Sequence, residues 1–152
     1  MRHYASRGLL AVLSGFIAVT AIAGAIFVVP TLPPEWIEGS VLEDYTIPAL
    51  ALALVGGLAA VTLIALVLRP AVAGLFAVVT GLAMVAFEVV EIAVVGFSLI
   101  DYGVGEPVAW LQVVYLAVGM LTAGAGFALW RATAEDRERL ARTNSATSAI
   151  HG

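Results

Sequence analysis

Residues 71–100 read AVAGLFAVVTGLAMVAFEVVEIAVVGFSLI, and only Glu88 and Glu91 carry charge among them. An apolar run of this length exceeds the ~20 residues an α-helix needs to cross the ~30 Å hydrocarbon layer of a bilayer. Carboxylates inside such a run are costly to keep, so they mark candidate functional positions. The fold and the candidate site are both read outward from this stretch.

On its N-terminal side, Arg69 and Pro70 separate it from a second apolar run, Pro48 to Leu68. Pro70 suits the first turn of a helix, where its missing N–H costs nothing. Gly8 to Val29 form another continuous apolar run. On the C-terminal side the glycine-rich DYGVGEP, 101–107, makes a turn, and Val108 to Trp130 form the fourth run. The predicted spans are 8–29, 48–68, 71–98 and 108–130. The expected fold is an all-α membrane protein, an antiparallel four-helix transmembrane bundle forming one domain over 1–142. Acid-before-base pairs at i,i+4, Glu135–Arg139 and Glu138–Arg142, extend the last helix to about Arg142. The polar residues 143–152 are expected to be disordered.

Composition supports the membrane class. The chain of 152 residues is 62% hydrophobic and 12% charged, about half the ~25% charged content of a soluble domain. Its mean hydropathy is +1.05. It has no cysteine, which removes thiol catalysis and thiolate metal sites. The two histidines, His3 and His151, sit near the two ends, so paired imidazole ligation at membrane depth is excluded. No metal and no cofactor are expected. Lysine is absent while arginine and alanine are abundant, a composition that points to a GC-rich bacterial source.

Charge gives the orientation. All seven positive residues are arginines, at positions 2, 7, 69, 131, 137, 139 and 142. Four spans place the segments that carry them on one side. The other side holds Glu35, Glu38, Glu43, Asp44, Asp101 and Glu106 and no Lys or Arg. The positive-inside rule then puts both termini in the cytoplasm. The chain is expected in the plasma (inner) membrane as a multi-pass protein. Arg2, the apolar stretch and Ala21-Ile22-Ala23 also resemble a signal peptide, but the run continues through Phe27 and Val29. That exceeds the usual ~7–15-residue apolar region of a signal and favours a retained anchor.

Lipid supplies no hydrophobic drive between helices, so close packing calls for small residues. Spacings of three and four put Ser14, Ala18, Ala21 and Ala25 on one face of the first span, and Ala49, Ala53, Gly56 and Ala60 on one face of the second. The third carries Gly74, Ala77, Gly81, Met84, Glu88 and Glu91. The fourth carries Gln112, Tyr115, Gly119, Thr122 and Gly126. At ~1.5 Å per residue, Glu88 lies roughly 25 Å and Glu91 roughly 30 Å above the cytoplasmic start of its span, and Gln112 about 7–8 Å in from the other side. A carboxyl–amide hydrogen bond between Glu88 and Gln112 is therefore expected. Two carboxylates three residues apart in a poorly solvated place cannot both ionise easily. The candidate ligand or ion site is Glu88, Glu91, Gln112 and Tyr115. The competing reading is structural: Glu91 reaches the interface and Gln112 merely satisfies Glu88.

The first outer connection reads PTLPPEWIEGSVLEDYTI, 30–47. Ser40 and Glu43 fit an S-x-x-E capping box, which predicts a short interfacial helix over the bundle. Thr46 is the expected cap of the second span, with Pro48 in its first turn, and Gly39 can end a turn begun by Pro34. Trp36 and Tyr45 suit the membrane interface. Four acids on one loop, with Glu38 and Asp44 among them, could attract a cation or a basic partner; the spacing is not that of an EF-hand. Trp36, Glu38-Gly39-Ser40, Asp44-Tyr45 and Ile47-Pro48, with the later Leu111-Gln112 and Tyr115, resemble a family of small four-helix bacterial membrane proteins. The shared pattern is W-x-E-G-S/T…D-Y-x-I-P and L-Q-x-x-Y. Here Ala49 replaces the glycine that follows I-P, and Val113 the proline. The resemblance implies the four-helix fold and lends no activity.

Three functions fit these features. One is a non-enzymatic accessory or structural membrane subunit. Another is a small proton- or cation-linked transporter or channel component, using Glu88 and Glu91 and working as a homo-oligomer. A membrane enzyme is the third and fits worst, because no serine–base, cysteine or metal constellation exists. Membrane lipid is the expected surrounding, and a second copy or another membrane protein the expected partner. Nucleic acid is excluded, since no basic surface exists beyond the tail.

Overall fold

The computed structural model of the chain describes residues 2–32, 34, 37–38, 41–95 and 107–151. All regular secondary structure among these residues is helical. Helix α1 covers Arg2–Ala23 and runs on through one π-helical turn, Gly24–Val28, and a 3-10 turn, Val29–Thr31. Helix α2 covers Thr46–Leu68, α3 Pro70–Val95 and α4 Pro107–His151. Each contains a stretch long and apolar enough to cross a membrane: Ser6–Thr31, Thr46–Leu68, Pro70–Val94 and Leu111–Thr143.

Local chemistry sets the boundaries. Pro70 disfavours helical backbone at the residue before it, and Arg69 sits at φ −142°, ψ 67°. The Arg69 N–H still donates to the Ala65 carbonyl at 2.9 Å, and the Val72 N–H donates to the Arg69 carbonyl at 3.0 Å. One residue thus closes α2 and starts α3. At the other end of α2 the cap differs from expectation. The Thr46 side chain does not cap; its backbone N–H donates to Asp44 Oδ1 at 2.8 Å. A short carboxylate bonding two residues ahead is a strong local turn-former.

The expected helix starting at Ser40 is not formed: the described residues 41–45 are irregular. Five residues before α2 cannot repay the cost of nucleating a separate helix. Among the described residues before α2, the Ile37 N–H donates to the Pro34 carbonyl at 3.2 Å. Trp36, Gly39, Ser40, residues 96–98 of the third predicted span and the 101–106 turn lie outside the described residues. Helix α4 includes residues 143–151. Thr143 and Ser145 return their hydroxyl protons to the carbonyls of Arg139 and Ala141, each at 3.0 Å.

Helix α1 packs on α2 and α4, and α3 packs on α2 and α4. The α3–α4 seam is the closest. A Cβ built on Gly74 would lie 2.7 Å from the Gly126 carbonyl oxygen, and one built on Gly119 would lie 3.0 Å from the Gly81 carbonyl oxygen. Along this seam α3 numbers rise as α4 numbers fall. Small residues permit this approach, as a packing stripe requires. The stripes of α1 and α3 are buried from Ser14 to Ala25 and from Gly74 to Glu88. On α2 the buried face is Val55, Gly56, Ala59, Thr62, Ala65 and Leu66, while Ala53 is exposed. The predicted stripe of α2 was therefore turned by about one residue. A stripe of alanines in an alanine-rich helix gives weak phase information, because every face carries some.

Two apolar clusters fill the interior. One joins Leu10, Ala65, Leu66, Ala73, Ala77 and Leu129 near the Arg69 turn. The other joins Ile17, Ala18, Ala21, Val55, Ala59 and Met84, farther along the helices. Beside the first, Arg7 Nη2 donates to the Leu66 carbonyl at 2.7 Å and ties the start of α1 to the end of α2.

Candidate functional site

Glu88 and Glu91 are set one turn apart on the inward stripe of α3. The structure leaves Glu88 2% exposed and Glu91 half-buried. Gln112, near the start of α4, is 5% exposed. Its side chain comes within reach of the Glu91 carboxyl, whereas the expected partner was Glu88. Helix register explains the difference. A Cβ on Gly119 would meet Met84 and Val85. Gln112 precedes Gly119 by seven residues, two turns, so it comes level with the residues seven beyond Met84 and Val85, which are Glu91 and Ile92. Depth counted separately from each membrane face could not resolve one turn.

Glu88 Oε2 is buried with no hydrogen-bond partner among the described residues. A carboxylate at such burial is very costly unless it carries a proton or a cation. The local chemistry therefore suits a small positive species: one carboxyl is sealed in the interior, and a second, half-buried, is steadied by an amide.

Tyr115 is half-buried and stacks at a tilt on Phe16 of α1, with ring centroids 5.9 Å apart. It also packs against the cluster containing Ile17 and Met84. By the same register it stands level with Glu88, four residues before Gly119 as Glu88 is four beyond Met84. Its ring joins α1 to the α3–α4 seam at the inner edge of the carboxyl pair.

A set of buried hydroxyls was not part of the sequence-derived site. Ser14, Thr62, Thr80 and Thr122, one from each helix, have no exposed surface. Thr62 and Thr80 are bonded across helices at 2.8 Å. Ser14 and Thr122 already lie on predicted packing stripes. The signal that could have found the others is that Thr62 is the one polar side chain inside an otherwise apolar stretch of α2, and Thr80 the one inside 71–87 of α3.

At the other candidate region, Pro34, Ile37, Glu38, Leu42, Glu43, Asp44 and Tyr45 line an open cavity of about 460 Å³. Glu38, Glu43 and Asp44 are exposed and Tyr45 is half-buried. The Asp44 carboxyl is held below the usual carboxylate range, first by the Thr46 backbone N–H and then by the Thr46 side chain. Among the described residues no group of three or more His, Asp or Glu could hold a metal ion. Asp44 thus has an established structural task, and Trp36 lies outside the described residues.

Comparison of the chain with protein-family models, with curated proteins and with solved structures finds no match.

Proposed function

We propose that this chain is a non-enzymatic integral membrane protein, an antiparallel four-helix bundle with both termini in the cytoplasm, whose working site takes up a proton or a small monovalent cation at Glu88. The observation that carries this reading is the sealed Glu88 carboxyl with an unpartnered Oε2, beside the Glu91–Gln112 pair. Four apolar helices and the outward apolar side chains, such as Val12, Phe27 and Val67, support membrane insertion. Segregation of the arginines supports the orientation. Gln112 and Glu91 form the outer lip of the site and Glu88 its floor.

Ile17, Ala59 and Met84 have no exposed surface and fill the interior one turn inward of Glu88. That filling supports a component role, in which the chain works in an assembly of its own copies or with another membrane protein rather than as a whole channel. The accessory-subunit reading and the cation reading meet here: the chain contributes a carboxyl site to a larger unit.

The test is infrared difference spectroscopy of the purified protein in lipid, exchanging choline for Na+ and stepping the pH. The proposal expects carboxyl bands that respond in the wild type and vanish in Glu88→Gln. Identical carboxyl difference bands in wild type and Glu88→Gln would remove Glu88 as the site and leave a purely structural subunit.

A further inference from the structure

The four buried hydroxyls lie at one level. Thr62 touches Thr80. Gly81, next to Thr80, abuts Ala123, next to Thr122. On α2, a Cβ on Gly56 would meet Ala21 of α1. Two turns from that contact, seven residues along each chain, stand Leu63, which adjoins Thr62, and Ser14. The level is closed on both sides. Ser14 is one turn from Leu10 and from Ile17, and these belong to the two different apolar clusters. Thr80 stands in the same way between Ala77 and Met84. Eight residues separate Thr80 from Glu88, about 12 Å along the helix.

The hydrogen-bond inventory of this layer is unbalanced. Thr62 donates its one proton to the Leu58 carbonyl at 3.0 Å, so in its contact with Thr80 it must accept. Thr80 has thereby spent its own proton. Thr122 donates to the Val118 carbonyl at 2.7 Å. Each oxygen still keeps at least one lone pair. Ser14 Oγ has no hydrogen-bond partner among the described residues, at full burial. Interhelical bonding accounts for Thr62 with Thr80; it does not account for Ser14. Three threonine oxygens whose protons are committed, with a Ser14 hydroxyl that has no partner among the described residues to hold its orientation, suit a species that needs only acceptors, and hydroxyl oxygens are hard donors of the kind hard cations prefer.

We propose that Ser14, Thr62, Thr80 and Thr122 form a second, inner station for a dehydrated monovalent cation of Na+ size, occluded between the two apolar clusters. This deepens the reading of Glu88 as a cation site, on which it rests for the route of supply from the outer face. Met84 and Ile17, lying between Glu88 and the layer, are then the barrier an ion passes.

Equilibrium binding of radiolabelled Na+ to the full chain in lipid tests it. Ser14→Ala and Thr80→Val are each expected to remove one Na+ per chain relative to wild type, while Thr80→Ser keeps it. Ser14→Ala removes a single oxygen from a buried site and serves if Thr80→Val fails to fold. Wild-type stoichiometry in Ser14→Ala and Thr80→Val, or no Na+ bound by the wild type, overturns the inner station. Glu88→Gln separates the two readings. Loss of Na+ in Glu88→Gln with none in Ser14→Ala removes the inner station and leaves Glu88 standing. Loss in Ser14→Ala with none in Glu88→Gln supports the inner station and removes Glu88 as its supplier.

Discussion

Substituting Gly81 with alanine tests the seam that positions the candidate site. A Cβ at Gly81 would press on the Gly119 carbonyl oxygen and the Ala123 backbone, closer than side-chain carbons approach such atoms. Both neighbours are helix backbone, so neither can rotate away. The helices must separate by something like an ångström along the seam. Overpacking of this kind costs about 1–3 kcal/mol, and about 2 kcal/mol is a ~30-fold loss in the folding equilibrium. Gly124 is the internal control. It lies on the same helix as Gly119, is exposed, and has nothing within 4 Å of a built Cβ. Gly124→Ala should be neutral or slightly stabilising, by at most about 1 kcal/mol from helix propensity. Reversible unfolding of both variants in mixed micelles reads the difference. Because Gln112 is placed opposite Glu91 by this seam, Gly81→Ala should also weaken the carboxyl response to Na+, and Gly124→Ala should not. Equal stability of the two variants would refute the glycine-to-backbone contact and with it the register that assigns Gln112 to Glu91.

Two further outcomes follow from single bonds. A double-mutant cycle on Thr62→Val and Thr80→Val should show a coupling of about 0.6 kcal/mol, the usual size for an interhelical bond in a membrane protein; zero coupling would mean the 2.8 Å contact is not a stabilising bond. Asp44 accepts from the Thr46 N–H, and its carboxyl is held low by that bond. The bond therefore contributes above the ordinary aspartate value of ~3.9 and is lost as pH falls through the lowered value. Exchange protection of the Thr46 amide should drop on acidification in the wild type and stay level in Asp44→Asn, which keeps the acceptor oxygen. A pH-independent wild-type amide would contradict the cap.

The helices were legible in the sequence because apolar length is a coarse property that survives errors of a residue or two. Pro70 after Arg69 and the buried stripe of α3 are cases where one strong signal sufficed. Phase and register were less legible. Ala53 and Ala59 look alike to a small-residue pattern, and only Val55, Thr62 and Leu66 reveal which way α2 faces. The Glu91–Gln112 pairing depended on the Gly119–Met84 contact, a tertiary fact to which neither helix alone refers. The Asp44 cap was missed because Thr46 satisfies the same capping preference from sequence, and the backbone chose the carboxylate two residues earlier. Continuation of α4 past Arg142 was hidden by polar composition, although Thr143 and Ser145 can return their protons to the helix's own carbonyls.

Buried polar groups are satisfied from within a fold, and this chain mostly obeys. Thr20, Thr62, Thr122 and Thr133 each donate to the carbonyl four residues back. Thr80 turns to Thr62 and Arg7 to Leu66. Ser14 Oγ and Glu88 Oε2 are the buried side-chain atoms without a partner among the described residues. They do not lie at random. Each is one turn from the same apolar cluster, Ser14 beside Ile17 and Glu88 beside Met84, on opposite sides of it. Packing does not require either polar atom: an apolar side chain in its place would leave no buried group unpaired, and alanine in place of Ser14 would match its neighbours Ala18 and Ala21. The core satisfies its other buried hydroxyls and leaves these two open, above and below one apolar cluster, and the proposed pair of cation stations rests on that arrangement.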